Sequence, residues 1–119
     1  MFPDYLVLSL RDGTAHVPAL WFLEVANVLV QAERHARINA ADGARFVELL
    51  RTLPLVVDND VAGFQGIGRV LALSRQYDLS TYDSSYLDLA MRKGVPLATR
   101  DRKLLTACGL AKVPVMTAT

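Results

Sequence analysis

Cysteine, histidine and long apolar runs are all scarce in this sequence, and each scarcity removes a class of protein. The only cysteine among the 119 residues is Cys108, which excludes an internal disulfide and a cluster of thiolate zinc ligands. The longest apolar run, Val17 to Val30, is interrupted by Glu24 and Asn27. It falls short of the ~20 residues needed to span a bilayer. Met1 is followed by Phe2-Pro3-Asp4, not by a basic segment and an apolar stretch, so the start does not read as a secretory signal. No repeat, low-complexity tract or Pro/Gly/Ser-rich linker divides the chain. These absences predict one cytoplasmic domain over 1–119, with no membrane partner.

What is present is apolar and finely alternating. At 52% hydrophobic residues, the chain has enough apolar surface to offset its conformational entropy by burial. The net charge of +1 hides two basic groups. One is Arg34, Arg37, Arg45 and Arg51; the other is Arg92, Lys93, Arg100, Arg102 and Lys103. Such clusters attract phosphates or simply solvate a surface.

Leu20 to about Arg37 has a helical pattern with a basic last turn, and Ala40 to Thr52 reads as a second, amphipathic helix. Leu55-Val56-Val57 is β-branched, lies between Pro54 and Asp58-Asn59-Asp60, and reads as a buried strand. Val61 to about Tyr77 and Thr81 to Arg92 read as helices, the second stopped by Lys93-Gly94. Pro96–Thr99 reads as a strand, Arg102–Cys108 as a short helix closed by Gly109, and Val113–Met116 as a last strand. Short apolar strands alternating with helices predict an α/β fold with a parallel sheet covered on both faces.

Three acids stand out against this pattern. Glu24 lies in Leu20-Trp21-Phe22-Leu23-Glu24-Val25-Ala26-Asn27-Val28-Leu29-Val30, a helix apolar nearly all round and therefore expected to be buried. An unpaired carboxylate there is costly, so a metal ion, an arginine or a polar cleft must compensate it. Asn27 is one turn away on the same side. Asp101 follows the strand 96–99, at a carboxyl end where ligands bind in parallel sheets, and it also suits a helix N-cap. Asp83 sits in the first turn of its helix, where the dipole alone stabilises an acid. Asp88, five positions on, reads as solvated.

Clustered carboxylates repel unless a cation neutralises them, and oxygen-only ligands select Mg²⁺ or Mn²⁺. No serine or cysteine has a credible histidine partner, because His16 precedes or enters a strand and His35 ends a helix. Gly63-Phe64-Gln65-Gly66-Ile67-Gly68 lacks the order and strand context of a nucleotide-binding loop.

These residues resemble a known family. His16-Val17-Pro18-Ala19-Leu20-Trp21 leading into Glu24-Val25-Ala26-Asn27-Val28-Leu29 resembles the segment of PIN-domain ribonuclease toxins, the VapC-like type, that carries their helical glutamate. Leu79-Ser80-Thr81-Tyr82-Asp83-Ser84-Ser85-Tyr86-Leu87-Asp88-Leu89-Ala90 is similar to their third acidic motif. Gly94-Val95-Pro96-Leu97-Ala98-Thr99-Arg100-Asp101 is similar to their strand-plus-aspartate motif. The similarity runs from Gly13 to Met116, with the motifs in family order.

The resemblance implies a three-layer PIN-like fold and a Mg²⁺- or Mn²⁺-dependent ribonuclease, with RNA as substrate and an antitoxin protein as partner. Glu24, Asp83 and Asp101 would hold the metal, directly or through water. Thr99 and Asn27 would orient ligands or substrate.

The resemblance also implies a departure. Family members open with a central strand ending in the first metal-binding aspartate, and only about a dozen residues precede Gly13 here. Tyr5–Leu10 is therefore read as the tail of the helix that follows that strand. The alternative is a strand Tyr5-Leu6-Val7-Leu8 in a hairpin turning at Asp12-Gly13. Asp4 is not assigned the first acid's role. Loss of that acid should impair activity, the alternative being a non-catalytic module that binds an antitoxin or itself. A gap at the sheet centre leaves two unpaired edges. Ala15–Val17 could shift to meet Pro96–Thr99, Tyr5–Leu8 could turn back into the gap, or a second chain could fill it. Self-association is the expected outcome, given how apolar helix 20–30 is.

Overall fold

The computed structural model describes residues 8–11, 13–60 and 63–116. Strand β1 (Leu8–Arg11) and strand β2 (Thr14–Pro18) form an antiparallel hairpin in which Arg11 pairs with Thr14 and Ser9 with His16. Gly13 sits in the connection at φ 74°, a left-handed conformation that a residue without Cβ adopts at least cost. There follow α1 (Leu20–Arg34), α2 (Ala40–Leu50), β3 (Leu55–Asp58), α3 (Phe64–Tyr77), α4 (Thr81–Lys93), β4 (Leu97–Ala98), α5 (Arg102–Ala111) and β5 (Val115–Met116).

The sheet order is β3-β2-β1-β4-β5. β2 runs parallel to β3 and β4 parallel to β5, whereas β1 is antiparallel to both of its neighbours. The expected α/β fold of parallel strands and helices is present. The helix expected over Tyr5–Leu10 is not: Leu8 to Leu10 are strand, and residues 5–7 lie outside the described residues. The hairpin alternative holds in part, with its strand at Leu8–Arg11 and Gly13 in the connection; Tyr5–Val7 and Asp12 lie outside the described residues. Open hydrogen-bonding edges of β2 and β4 on either side outweigh a marginal local preference. The central place expected to be vacant is thus filled by this chain, in reverse direction, and the unpaired edges that argued for self-association are satisfied there.

Burial reverses another expectation. In α1 only Trp21 and Val25 are buried; Phe22 is 47% and Leu23 75% exposed. The helix buried over consecutive residues is α4, from Ser84 through Ala90. It packs on β1, β2 and β4, with α3 and α5 against it, and Tyr86, Leu87 and Leu89 lie in the core with Val17, Trp21, Leu97 and Leu104. β3 is an edge strand, so Val56 and Val57, expected inside, are exposed.

The buried polar groups of α4 are all engaged. Ser84 shares a 2.7 Å hydrogen bond with Ser74 of α3, and Ser85 donates to the Tyr82 carbonyl at 2.6 Å. Asp88, expected in solvent, is 3% exposed. Its carboxylate accepts from Arg69 Nε of α3 at 2.9 Å and from Arg92 Nε one turn along at 2.7 Å. Arg92 continues to Asp58 at the end of β3 (2.5 Å) and to Asp60 (2.9 Å). These acids hold the Arg92 guanidinium fully charged, above the usual arginine range. The network ties α3, α4 and β3 together with directional bonds where burial alone would leave sliding freedom.

Helix ends are set locally. Asn39 and Asp42 exchange backbone bonds in a capping box at α2 (2.8 and 3.1 Å). Ser80 caps α4 through the Asp83 amide at 3.1 Å, and Gly94 ends it at φ 63°. α5 runs past Gly109 and stops at Lys112, φ 59°, so the expected glycine stop is not the one used.

Two outcomes follow. Ser9→Pro, in the middle of the gap-filling strand, should cost about 3 kcal/mol or more by removing a ladder donor. Asp88→Asn should cost about 3 kcal/mol, because two guanidinium groups lose a buried counter-charge. Urea unfolding measures both; losses below ~1 kcal/mol would show that neither feature organises the fold.

Candidate active site

The parallel strands β2 and β4 are followed by α1 and α5, so both helices begin at the carboxyl edge of the sheet, the usual place for ligands in such folds. α4 begins beside them, and the three acids reach this edge from these three helices.

Glu24, in the second turn of α1, is half-buried. The Tyr86 hydroxyl, from a side chain with no exposure, donates to its Oε1. Tyr86 is three residues beyond Asp83 and so shares its face of α4. Burial pushes the Glu24 carboxyl above the usual carboxylate range, the Tyr86 hydrogen bond pulls it back, and the charge of Asp83 adds a further upward push. Asp83 is likewise raised, first by burial and then by the charge of Asp101, against a lowering hydrogen bond with Ser80. Burial and the Glu24 carboxylate drive the Tyr86 phenol far above its ordinary value, so it is a neutral donor at every physiological pH.

Asp101 is the N-cap of α5: Oδ2 accepts from the Leu104 amide at 2.9 Å, leaving Oδ1 outside the cap. Its own amide donates to Thr99 Oγ1 at 3.1 Å, and the Thr99 side chain is thereby fixed under the loop.

Asp83 thus lies within electrostatic reach of both Glu24 and Asp101. The coupling stops short of a tight cluster. Among the described residues no three histidine, cysteine, aspartate or glutamate side chains are grouped closely enough to hold one metal ion. Asn27 is exposed and lines an open cavity of ≈ 600 Å³ together with Glu24 and Tyr82. His35 lies at the end of α1, with Nδ1 2.8 Å from the Gln31 carbonyl. His16 is in β2 with Nδ1 buried and without a partner among the described residues. Neither belongs to the acid group.

Sequence reasoning missed Tyr86 and the arginine–aspartate network. A signal existed for both: Tyr86 follows Asp83 by three, and Asp88 and Arg92 have the spacing of a helical ion pair.

A carboxylate-bearing sheet edge on an α/β domain of this topology defines a class of acid-centred α/β proteins, and comparison with known proteins identifies the family. The PIN domain family model matches residues 4–110, and the chain belongs to the PIN domain family. It is 34% identical to VapC ribonuclease Mb0985 of Mycobacterium bovis and to Ribonuclease VapC9 of Mycobacterium tuberculosis, over 92% of this chain and 89% of each relative. Among solved structures it is similar to PAE2754 from Pyrobaculum aerophilum, with TM-score 0.62 and 27% identity. That match covers 76% of this chain and 59% of the other, less than two thirds of its length.

The raised acids make a stability prediction for chelator-treated protein. Neutral Glu24 and Asp83 favour the fold fully below their ordinary carboxylate values, and that contribution is lost as pH rises through their raised folded values. Asp83→Asn should therefore be more stable than the wild type at pH 7, with the gap closing on acidification toward the ordinary aspartate value of 3.8. Thermal unfolding across pH checks this; a variant less stable at pH 7 would show the repulsion to be negligible.

Proposed function

We propose that this chain is a divalent-cation-dependent endoribonuclease of the PIN-domain toxin type, acting in the cytoplasm on RNA and restrained by an antitoxin protein. The observation that carries this reading is the PIN-family match over residues 4–110, joined to three acids, Glu24, Asp83 and Asp101, on helices that start at one edge of the sheet. Relatives named as ribonucleases at 34% identity support it. No helix among the described residues is long and apolar enough to cross a membrane.

The donor set fits a hard cation. Its acids offer only oxygen, and burial plus mutual repulsion penalise their ionised forms, a penalty that a dication relieves. Glu24, Asp83 and Asp101 would hold Mg²⁺ or Mn²⁺, in part through water. When bound, the ion supplies charge to the phosphodiester and acidifies a water. Tyr86 aims one Glu24 oxygen and leaves the other for ligation. Thr99 braces the Asp101 loop. Exposed Arg102 and Lys103, next to Asp101 on α5, supply positive charge for the RNA backbone. A second copy of the chain is a further proposed partner. The apolar side chains open on α1 and α2, such as Phe22, Leu23 and Leu49, support protein contacts of this kind.

A second reading, a non-catalytic module that binds an antitoxin or itself, is favoured by the absence of a tight three-acid group among the described residues. Mg²⁺ keeps its waters and needs several well-placed carboxylates, so its affinity here should be weak.

Labelled RNA separates the readings. We expect slow cleavage in Mg²⁺ and faster cleavage in Mn²⁺, with Glu24→Gln and Asp101→Asn each losing about 100-fold or more. Thr99→Val should weaken Mn²⁺ binding by about 10–100-fold. No cleavage with either ion would establish the non-catalytic reading. Robust Mg²⁺-dependent cleavage that disappears in Glu24→Gln would show that loosely grouped acids suffice.

A further inference from the structure

The cavity of ≈ 600 Å³ between α1 and the start of α4 has an unusual wall for a protein that handles RNA. Its floor is apolar, from Leu23, Ala26 and Val30; its polar groups are Glu24 and Asn27; and Tyr82 stands at its side. Among the described residues no lysine or arginine lines it. A phosphate would meet the Glu24 carboxylate there with no counter-charge, so the backbone of a nucleic acid is the wrong part to enter. A nucleobase has the matching properties: it is neutral, planar, apolar on its faces and hydrogen-bonding at its edge.

We propose that this cavity is a base-binding subsite for single-stranded RNA, in which Tyr82 stacks on a nucleobase beside the scissile phosphate and Asn27 reads its edge. The proposal rests on the nuclease reading above and adds a substrate contact to it. Tyr82 is 64% exposed and lines the same cavity as Glu24, so a base stacked on it lies beside that carboxylate. Asn27 follows Glu24 by one helical turn, which puts a two-donor, one-acceptor amide on the same side as the carboxylate. Unstacked bases held on aromatic rings and read at their edges are the common mode of single-strand recognition. Double-stranded RNA, with its bases stacked inside, cannot use such a pocket.

The test measures binding rather than cleavage. A fluorescein-labelled single-stranded RNA is titrated with the full chain in Ca²⁺, and a second oligonucleotide carries one 2-aminopurine whose fluorescence reports stacking. Tyr82→Ala should weaken binding about 5- to 150-fold and abolish the 2-aminopurine quench, while Tyr82→Phe, which keeps the ring, should retain both. Asn27→Ala should flatten the differences in affinity among A-, C-, G- and U-rich oligonucleotides. Tyr82 is largely solvent-exposed, so its loss should leave thermal unfolding unchanged. If the wild type binds RNA and Tyr82→Ala binds as tightly with the same quench, the subsite is overturned, the nuclease reading stands, and the cavity is left for a protein ligand. If the wild type binds no single-stranded RNA, both readings fall.

Discussion

Burial of α4 is the constraint from which the rest of this structure follows. A helix containing two serines, a tyrosine and an aspartate among its buried residues is tolerated only if each polar group finds a partner. Here each does: Ser84 on α3, Ser85 on its own helix, Tyr86 on α1, and Asp88 on two arginines. These partners lie on different elements, so satisfying α4 fixes where α1, α3 and β3 must stand. Arg92 carries the linkage to Asp58 and Asp60, extending it from the helix to the sheet. The apolar core excludes water from the assembly; the polar bonds give it a unique arrangement.

The acid group hangs on that same helix. Asp83 and Tyr86 occupy its first turns, while Asp88 and Arg92 occupy its last. One end of α4 is thus bound by opposite charges, and the other presents like charges that repel. The binding end stabilises the fold and the repelling end costs stability. Under the nuclease reading proposed above, a dication would relieve that repulsion. The tethered half of the helix allows the strained half to persist.

The sheet centre shows how topology is completed under hydrogen-bond demand. β1 runs against both neighbours, yet it pairs on each side, and pairing rather than direction is what the edges of β2 and β4 require. The resulting order keeps β2 and β4 parallel to each other, which in turn keeps the beginnings of α1 and α5 at one edge. The relative placement of Glu24 and Asp101 therefore depends on a strand that contributes neither of them.

The sequence by itself determined the element pattern from α1 onward, the cap at Asp101, the stop at Gly94, and the acids Glu24, Asp83 and Asp101 as the candidates for chemistry. Those features are local: a period of apolar residues, a capping oxygen within three residues of its amide, an acid out of place in its own segment. Tertiary structure alone decided which helix is buried, that Asp88 lies inside, that Val56 and Val57 face outward, that Leu8–Arg11 is a strand, and that the acids are coupled without forming a tight cluster. Each of these depends on groups far apart in the chain. Burial follows the partners a helix acquires rather than its own composition, so the polar-looking α4 went inside and the apolar α1 kept one face open. The arginine on α3 that makes a buried aspartate acceptable stands nineteen residues from Asp88, and nothing in the intervening sequence announces that the two will meet.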